Sequence, residues 1–232
     1  ITGVQPVAPS PIPMPYGTAV GYEGELPREL SVAEIKELVY KFAQAARRAQ
    51  KAGFDGVEIH ATGYYLVAQF LSSTANVRQD EYGGSLTKRV RLLDEIIRAV
   101  RKAVGQDYPL LCKISAMEIG PGAGLTVEES HEIARLAEQA GADALEIAGM
   151  LWGVLGALPP STGEAPGGLL PFMDGLKKAV RIPVIVASRI NPEMGEKALR
   201  DGQADLIGMG KALIADPELP LKAAAGKVDE IR

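Results

Sequence analysis

Apolar positions along the chain follow two alternating periods. After Ser31, residues Ile35, Leu38, Val39, Phe42 and Ala46 share one helical face. Ser31-Val32-Ala33-Glu34 ahead of them is a capping box, in which the Ser hydroxyl and the Glu carboxylate each satisfy an orphan amide. The spacing predicts a helix to about Ala52, stopped by Gly53. Further helices are predicted near 86–104, 127–140, 170–180 and 193–201, the second with its own capping box from Thr126 to Glu129. Short apolar runs at 56–60, 109–115, 143–148, 183–187 and 205–209 read as strands between them. Glycine, one or two residues, aspartate and then a strand recur at Gly53-Phe54-Asp55, Gly141-Ala142-Asp143 and Gly202-Gln203-Ala204-Asp205, each an α-to-β turn. Residues 1–27, with six prolines and with Gly17, Gly21 and Gly24, read as loop. The alternation argues for parallel βα units whose strands are covered on both faces. A (β/α) barrel and a doubly wound sheet both satisfy it.

Composition narrows the class without naming a chemistry. The 232 residues are 47% hydrophobic, enough for one domain with a sizeable core, and no apolar run reaches membrane-spanning length. Net charge is -4, with 25 basic and 29 acidic residues interspersed, so no footprint for nucleic acid or a membrane surface stands out. A small-molecule substrate is the expectation. The single cysteine, Cys112, excludes an internal disulfide and fits a reducing cytoplasm, and its strand position predicts a small core residue. The chain starts at Ile1 with no visible signal peptide.

Reactive groups concentrate in 53–86, where a strand runs into a long segment rich in Tyr, Arg and Asp. Strand parity puts Glu58 and His60 on one face, with His60 at the C-terminal end. On the next strand Leu111, Lys113 and Ser115 share a face, and Glu146 has matching parity on the third. Arg78, Asp80 and Glu81 are expected to pair with one another and pin their loop; His131, within a helix, is expected at the surface.

These residues carry a resemblance to the flavin-dependent old yellow enzyme family. It rests on Val57-Glu58-Ile59-His60, on Tyr64-Tyr65-Leu66 and on Asn76 through Ser85. Ser188-Arg189-Ile190-Asn191-Pro192 and Ala215-Asp216-Pro217-Glu218-Leu219 are similar to the 2,4-dienoyl-CoA reductase and enoate reductase branch. The resemblance selects the eight-stranded TIM barrel, of which this chain holds the last five βα units; Pro6 to Ser10 match the segment after the third strand. It implies one FMN-binding domain over 1–232, truncated at both ends, whose missing strands belong to a longer protein or come from another chain, as in a homo-oligomer.

The resemblance also implies site roles. His60 binds the substrate carbonyl or the flavin, and Tyr65 protonates an alkene carbon. Lys113 replaces an arginine at the flavin edge; an ion pair with Glu58 or Glu146 and a Schiff-base lysine are the other readings of it. Ser188, Arg189, Met209, Gly210 and Lys211 fall where the last two loops hold the FMN phosphate. Gly63 departs from the pattern, since many members carry His or Asn there to clamp the substrate oxygen with His60. The His used after the sixth strand in dienoyl-CoA reductases falls near Gly153, beside Trp152, and is absent. The implied activity is hydride transfer from NADH or NADPH, through FMN, to the activated C=C bond of an enone, enoate or enoyl thioester. The alternatives are a non-catalytic fragment or subunit of a flavin barrel and a Schiff-base lyase using Lys113. The chain stops before the cysteine-rich segment of the dienoyl-CoA reductases, so no iron–sulfur cluster carries over.

Overall fold

The computed structural model describes residues 3–13, 25–119, 124–151, 167–187 and 189–232. Two short strands, β1 (Val7–Ala8) and β2 (Arg28–Glu29), form a parallel pair of their own. Then come α1 (Val32–Lys51), β3 (Val57–Ala61), α2 (Leu66–Leu71), α3 (Leu86–Val104) and β4 (Leu110–Ile119). They are followed by α4 (Val127–Ala140), β5 (Ala144–Leu151), α5 (Leu170–Ala179), β6 (Val184–Ala187), α6 (Pro192–Arg200) and β7 (Leu206–Gly208). Two short helices, α7 (Gly210–Ala215) and α8 (Leu219–Ala224), and a 3-10 turn at Val228–Glu230 complete the described chain.

Both capping boxes form as expected: Ser31 accepts from the Glu34 amide and Thr126 from that of Glu129, each glutamate bonding back. Strands β3 to β7 make one parallel sheet in chain order. A doubly wound sheet reverses strand order at a switch point. This one never does, so each βα unit adds on the same side and the sheet is an arc of a (β/α)8 barrel, five strands long.

The expectation of strands covered on both faces does not hold. Ile59, Ala61, Cys112, Ile114, Leu145, Ile147, Val184 and Val186 are buried under the helices. The alternate residues Glu58, His60, Leu111, Lys113, Glu146 and Ile185 are half-buried or exposed. No described helix covers this second face, which in a closed barrel faces the interior filled by the opposite strands.

The recurring glycine-to-aspartate turn has a physical reason. The Asp143 carboxylate accepts the amide of Leu110, the first residue of the preceding strand, at 2.8 Å, and Asp205 accepts that of Val184 at 2.7 Å. Their own amides donate to the carbonyls of Leu110 and Val184. Each aspartate thus latches its strand to the one before it. Arg101 reinforces the first latch, bridging Asp143 and the carbonyls of Gly141, Gly105 and Tyr108. Asp55, third of the series, precedes β3, which has no described strand on that side.

Other differences are local. The 1–27 region contains β1, and Leu66–Leu71 is helical although its six residues carry no capping side chain. His131 is not a surface residue: it packs on Gly175 of α5, where a Cβ would stand 2.4 Å from its ring, and burial lowers its pKa. Arg78 pairs with Asp80, but Glu81 lies beside Arg91 instead.

Removing the Asp143 latch orphans a buried amide, so Asp143→Ala should cost about 1–3 kcal/mol. Asp55→Ala, at an exposed position, should stay within about 0.5 kcal/mol. Urea denaturation of the two variants of this chain checks the contrast.

Candidate active site

The C-terminal ends of the strands gather most of the chemistry anticipated from the sequence. Strand β3 delivers His60 to its open face, and the chain then turns through Thr62, Gly63 and Tyr64 into α2. Gly63 and Tyr64 both take left-handed backbone conformations, φ 67° and 62°. The turn separates the tyrosine doublet. Tyr64 is buried under it, while Tyr65, at the N-cap of α2, is 63% exposed with its ring 5.2 Å from that of His60. Gly63 permits this: a Cβ there would meet the Tyr65 ring at 3.0 Å and lie 3.6 Å from His60 Nε2. Tyr65 leans over the place where a second clamp residue would begin.

The register pairs His60 with Lys113 and Lys113 with Glu146 in one row across three strands. Lys113 Nζ donates to Glu146 Oε1 at 2.5 Å, so of its two expected carboxylate partners the ion pair is with Glu146. Glu58 lies one step deeper, and its carboxyl is pushed above the usual range by burial first and by the Glu146 charge second. His60 is shifted down, by burial and then by the Lys113 charge, which favours the neutral imidazole at pH 7. Toward the mouth stands a second row of small side chains. Thr62 and Ser115 share a hydrogen bond of 2.7 Å, Ser115 pairs with Ala148, and Ala187 pairs with Gly208. Nothing in this row is larger than threonine, which leaves flat ground above Lys113.

At the far end of the arc, Arg189 has φ 49° and is exposed; Gly210 has open space where a Cβ would be, and Lys211 beside it is exposed. Gly208 has a packing reason instead, because a Cβ there would meet that of Ala187 at 2.8 Å. The Met209 side chain turns toward Gly195 of α6. Ser188, Trp152 and Gly153 lie outside the described residues. An apolar cleft of about 780 Å³, lined by Pro192, Ile207, Met209, Leu213, Leu219 and Val228 among others, opens on the helical side of β7, away from His60 and Tyr65. No group of three or more metal-ligating side chains occurs among the described residues, and none of the described helices is long and apolar enough to cross a membrane.

The loop after α2 is built as a brace. Arg78 is buried and donates to the carbonyls of Pro9 and Leu30, and Asn76 Nδ2 donates to those of Phe70 and Tyr82. These bonds hold β1, α1 and α2 together behind the mouth.

Comparison with known proteins agrees with this geometry. Residues 4–230 match the NADH:flavin oxidoreductase / NADH oxidase family. The chain belongs to that family. It is 44% identical over 232 residues to an NADH oxidase of Thermoanaerobacter brockii, covering 99% of this chain and 34% of the relative. It is 37% identical over 253 residues to a cinnamate reductase of Clostridium sporogenes, covering 100% and 36%. The solved structure of a 2-naphthoyl-CoA reductase in complex with 2-naphthoyl-CoA superposes with a TM-score of 0.87 at 35% identity, covering 98% of this chain and 34% of that one. The chain thus spans about a third of the length of these relatives. Family membership bears out the old yellow enzyme resemblance and brings FMN and NAD(P)H with it as the family's cofactors.

In this member of the NADH:flavin oxidoreductase family the described residues fit a flavin, because the row of small side chains leaves room for a planar ring with the Lys113 cation next to that row. Lys113, holding Glu146, is arranged as an ion pair and not as the desolvated amine that Schiff-base chemistry uses. Sequence reasoning missed Glu118, a buried carboxyl near the end of β4. Its one local signal was a charged residue extending an apolar strand run.

Gly63→Ala combines a left-handed backbone with a clash against the Tyr65 ring. We expect a loss of about 1–2 kcal/mol and a changed near-ultraviolet circular dichroism signal as Tyr65 is displaced; an unchanged melting temperature and spectrum would refute this reading of the turn.

Proposed function

We propose that this chain forms the catalytic wall of an FMN-dependent ene-reductase that reduces the activated C=C bond of an enone, enoate or enoyl thioester. The observation that carries this is the pairing of His60 with Tyr65 at the mouth of β3, above the row holding Lys113. The names of the cinnamate and naphthoyl-CoA reductases favour conjugated acids or their thioesters as the substrate class.

Lys113 and the row from Thr62 to Gly208 would hold the flavin ring, with Arg189, Gly210, Lys211 and the backbone of Met209 at the phosphate; the proposal extends to Ser188. When bound there, FMN would supply the hydride-transfer chemistry, with NADH or NADPH as the source of the hydride that the β-carbon of the alkene accepts. Neutral His60 donates a hydrogen bond from its ring to the substrate carbonyl oxygen, polarising the double bond and stabilising negative charge that develops there. Tyr65 gives its phenolic proton to the α-carbon, so that hydride and proton together saturate the bond. Phenols are weak acids, and the transfer depends on a basic developing carbanion and on a fixed position for the donor. With Gly63 in place of a second clamp residue, carbonyl activation falls to His60.

A second reading is favoured by the uncovered face and by the outer edges of β3 and β7, which pair with no described strand. In it, residues 1–232 are one part of a barrel domain completed by further strands of a longer protein or by another chain, and the alkene chemistry belongs to the completed barrel.

Stopped-flow kinetics on FMN-loaded protein tests the assignment of Tyr65. Tyr65→Phe should leave flavin reduction by NAD(P)H unchanged and slow reoxidation by an activated alkene about 10²–10⁴-fold. Unchanged alkene turnover would remove Tyr65 from the mechanism.

A further inference from the structure

Helix α2 carries Tyr65 at its start, yet it has only six residues and no side-chain cap there. A helix of that length does not hold itself in water, so its direction comes from tertiary anchors. Three hydrogen bonds reach it from outside. Asn76 Nδ2 donates to the Phe70 carbonyl at 2.8 Å and Arg89 to the Leu71 carbonyl. The third joins Ser72, the C-cap residue, whose Oγ donates to Glu118 Oε2 at 2.8 Å. Of the three outside partners, Glu118 alone belongs to β4, the strand that carries Lys113.

The carboxyl is closely enclosed. Glu118 is 5% exposed, and its Oε1 is buried without a hydrogen-bond partner. A Cβ on Gly124 would stand 1.7 Å from its Oε2 and 2.5 Å from Ser72 Oγ, so the chain returning after β4 closes directly on the pair. The same return is stapled to the turn after α2, since the amide and hydroxyl of Ser73 both donate to the Gly124 carbonyl.

We propose that Glu118 is a positioning residue for the reaction: through Ser72 it fixes α2, and with it Tyr65, to the strand that presents Lys113. The inference rests on the reading of Tyr65 as proton donor. Burial pushes the Glu118 carboxyl up to about 7; the Ser72 hydrogen bond and the Arg89 charge from α3 oppose this, and the Glu129 charge from α4 adds to it. The Ser72 hydroxyl has a carboxyl oxygen to donate to in either protonation state, so the anchor rests on the geometry and not on the charge of Glu118.

The test uses FMN-loaded protein with the variants Glu118→Ala, Ser72→Ala and Glu118→Gln. Amide hydrogen exchange across residues 66–72 should accelerate about tenfold in both alanine variants. Reoxidation by an activated alkene should slow about 10–100-fold, while flavin reduction by NAD(P)H is unaffected. Gln keeps an acceptor for Ser72, so Glu118→Gln should preserve exchange protection and hold the alkene half-reaction near the rate of the unaltered protein. Should Glu118→Ala not fold, Ser72→Ala cuts the same bond from the other side. Unchanged exchange in α2, or equal slowing of both half-reactions, would overturn the proposal. A failure of the proton-donor reading is distinct: it shows as an inert Tyr65→Phe, while exchange still reports on the anchor.

Discussion

The site depends on the parallel register of β3, β4 and β5. That register sets His60, Lys113 and Glu146 side by side because the opposite face of each strand is fixed by burial: Ile59, Cys112, Ile114, Leu145 and Ile147 have no other place than under the helices. A slip of one residue would exchange the faces, sending the charged row into the apolar layer. The aspartate latches make such a slip harder, since Asp143 and Asp205 bond both backbone groups of one particular residue in the preceding strand. Hydrophobic burial thus selects the face, and hydrogen bonding selects the register.

The row that results is electrostatically crowded. Two carboxylates, one ammonium and one imidazole share the open face; burial first, and then the neighbouring charge, moves Glu58 up beside Glu146 and His60 down beside Lys113. A lysine at this place is a compact charge on a flexible stem, without the planar fork of arginine. It can satisfy Glu146 and still present positive charge to a flavin edge. That edge is the neighbour proposed for it, and the row of small residues leaves it room.

Much of this was legible in the sequence. The helical period from Ile35 to Ala46, the two capping boxes and the five apolar runs gave elements within a few residues of those observed, because each is set by local chemistry. The glycine-to-aspartate repeat was visible as punctuation; its role as a latch was not, because the partner amide lies on a strand more than twenty residues away. Helix α2 escaped notice because Leu66–Leu71 is short, apolar apart from Gln69 and uncapped, so its helicity is imposed by contacts from β4, α3 and the Asn76 loop. Glu118 was hidden for the same reason: Ser72 and Gly124, which enclose it, meet only in the folded chain. The doublet Tyr64-Tyr65 shows the limit most plainly, since two identical residues are told apart by the left-handed turn at Gly63 and Tyr64.

If the open face of this arc and the loops after β6 and β7 hold FMN, ring and phosphate together, the chain should distinguish FMN from riboflavin. Fluorescence titration with each flavin, repeated on Lys211→Ala, should give saturable quenching that favours FMN, with the preference reduced in the variant. Absence of saturable binding, or equal affinity for the two flavins in the unaltered chain, would rule this site out.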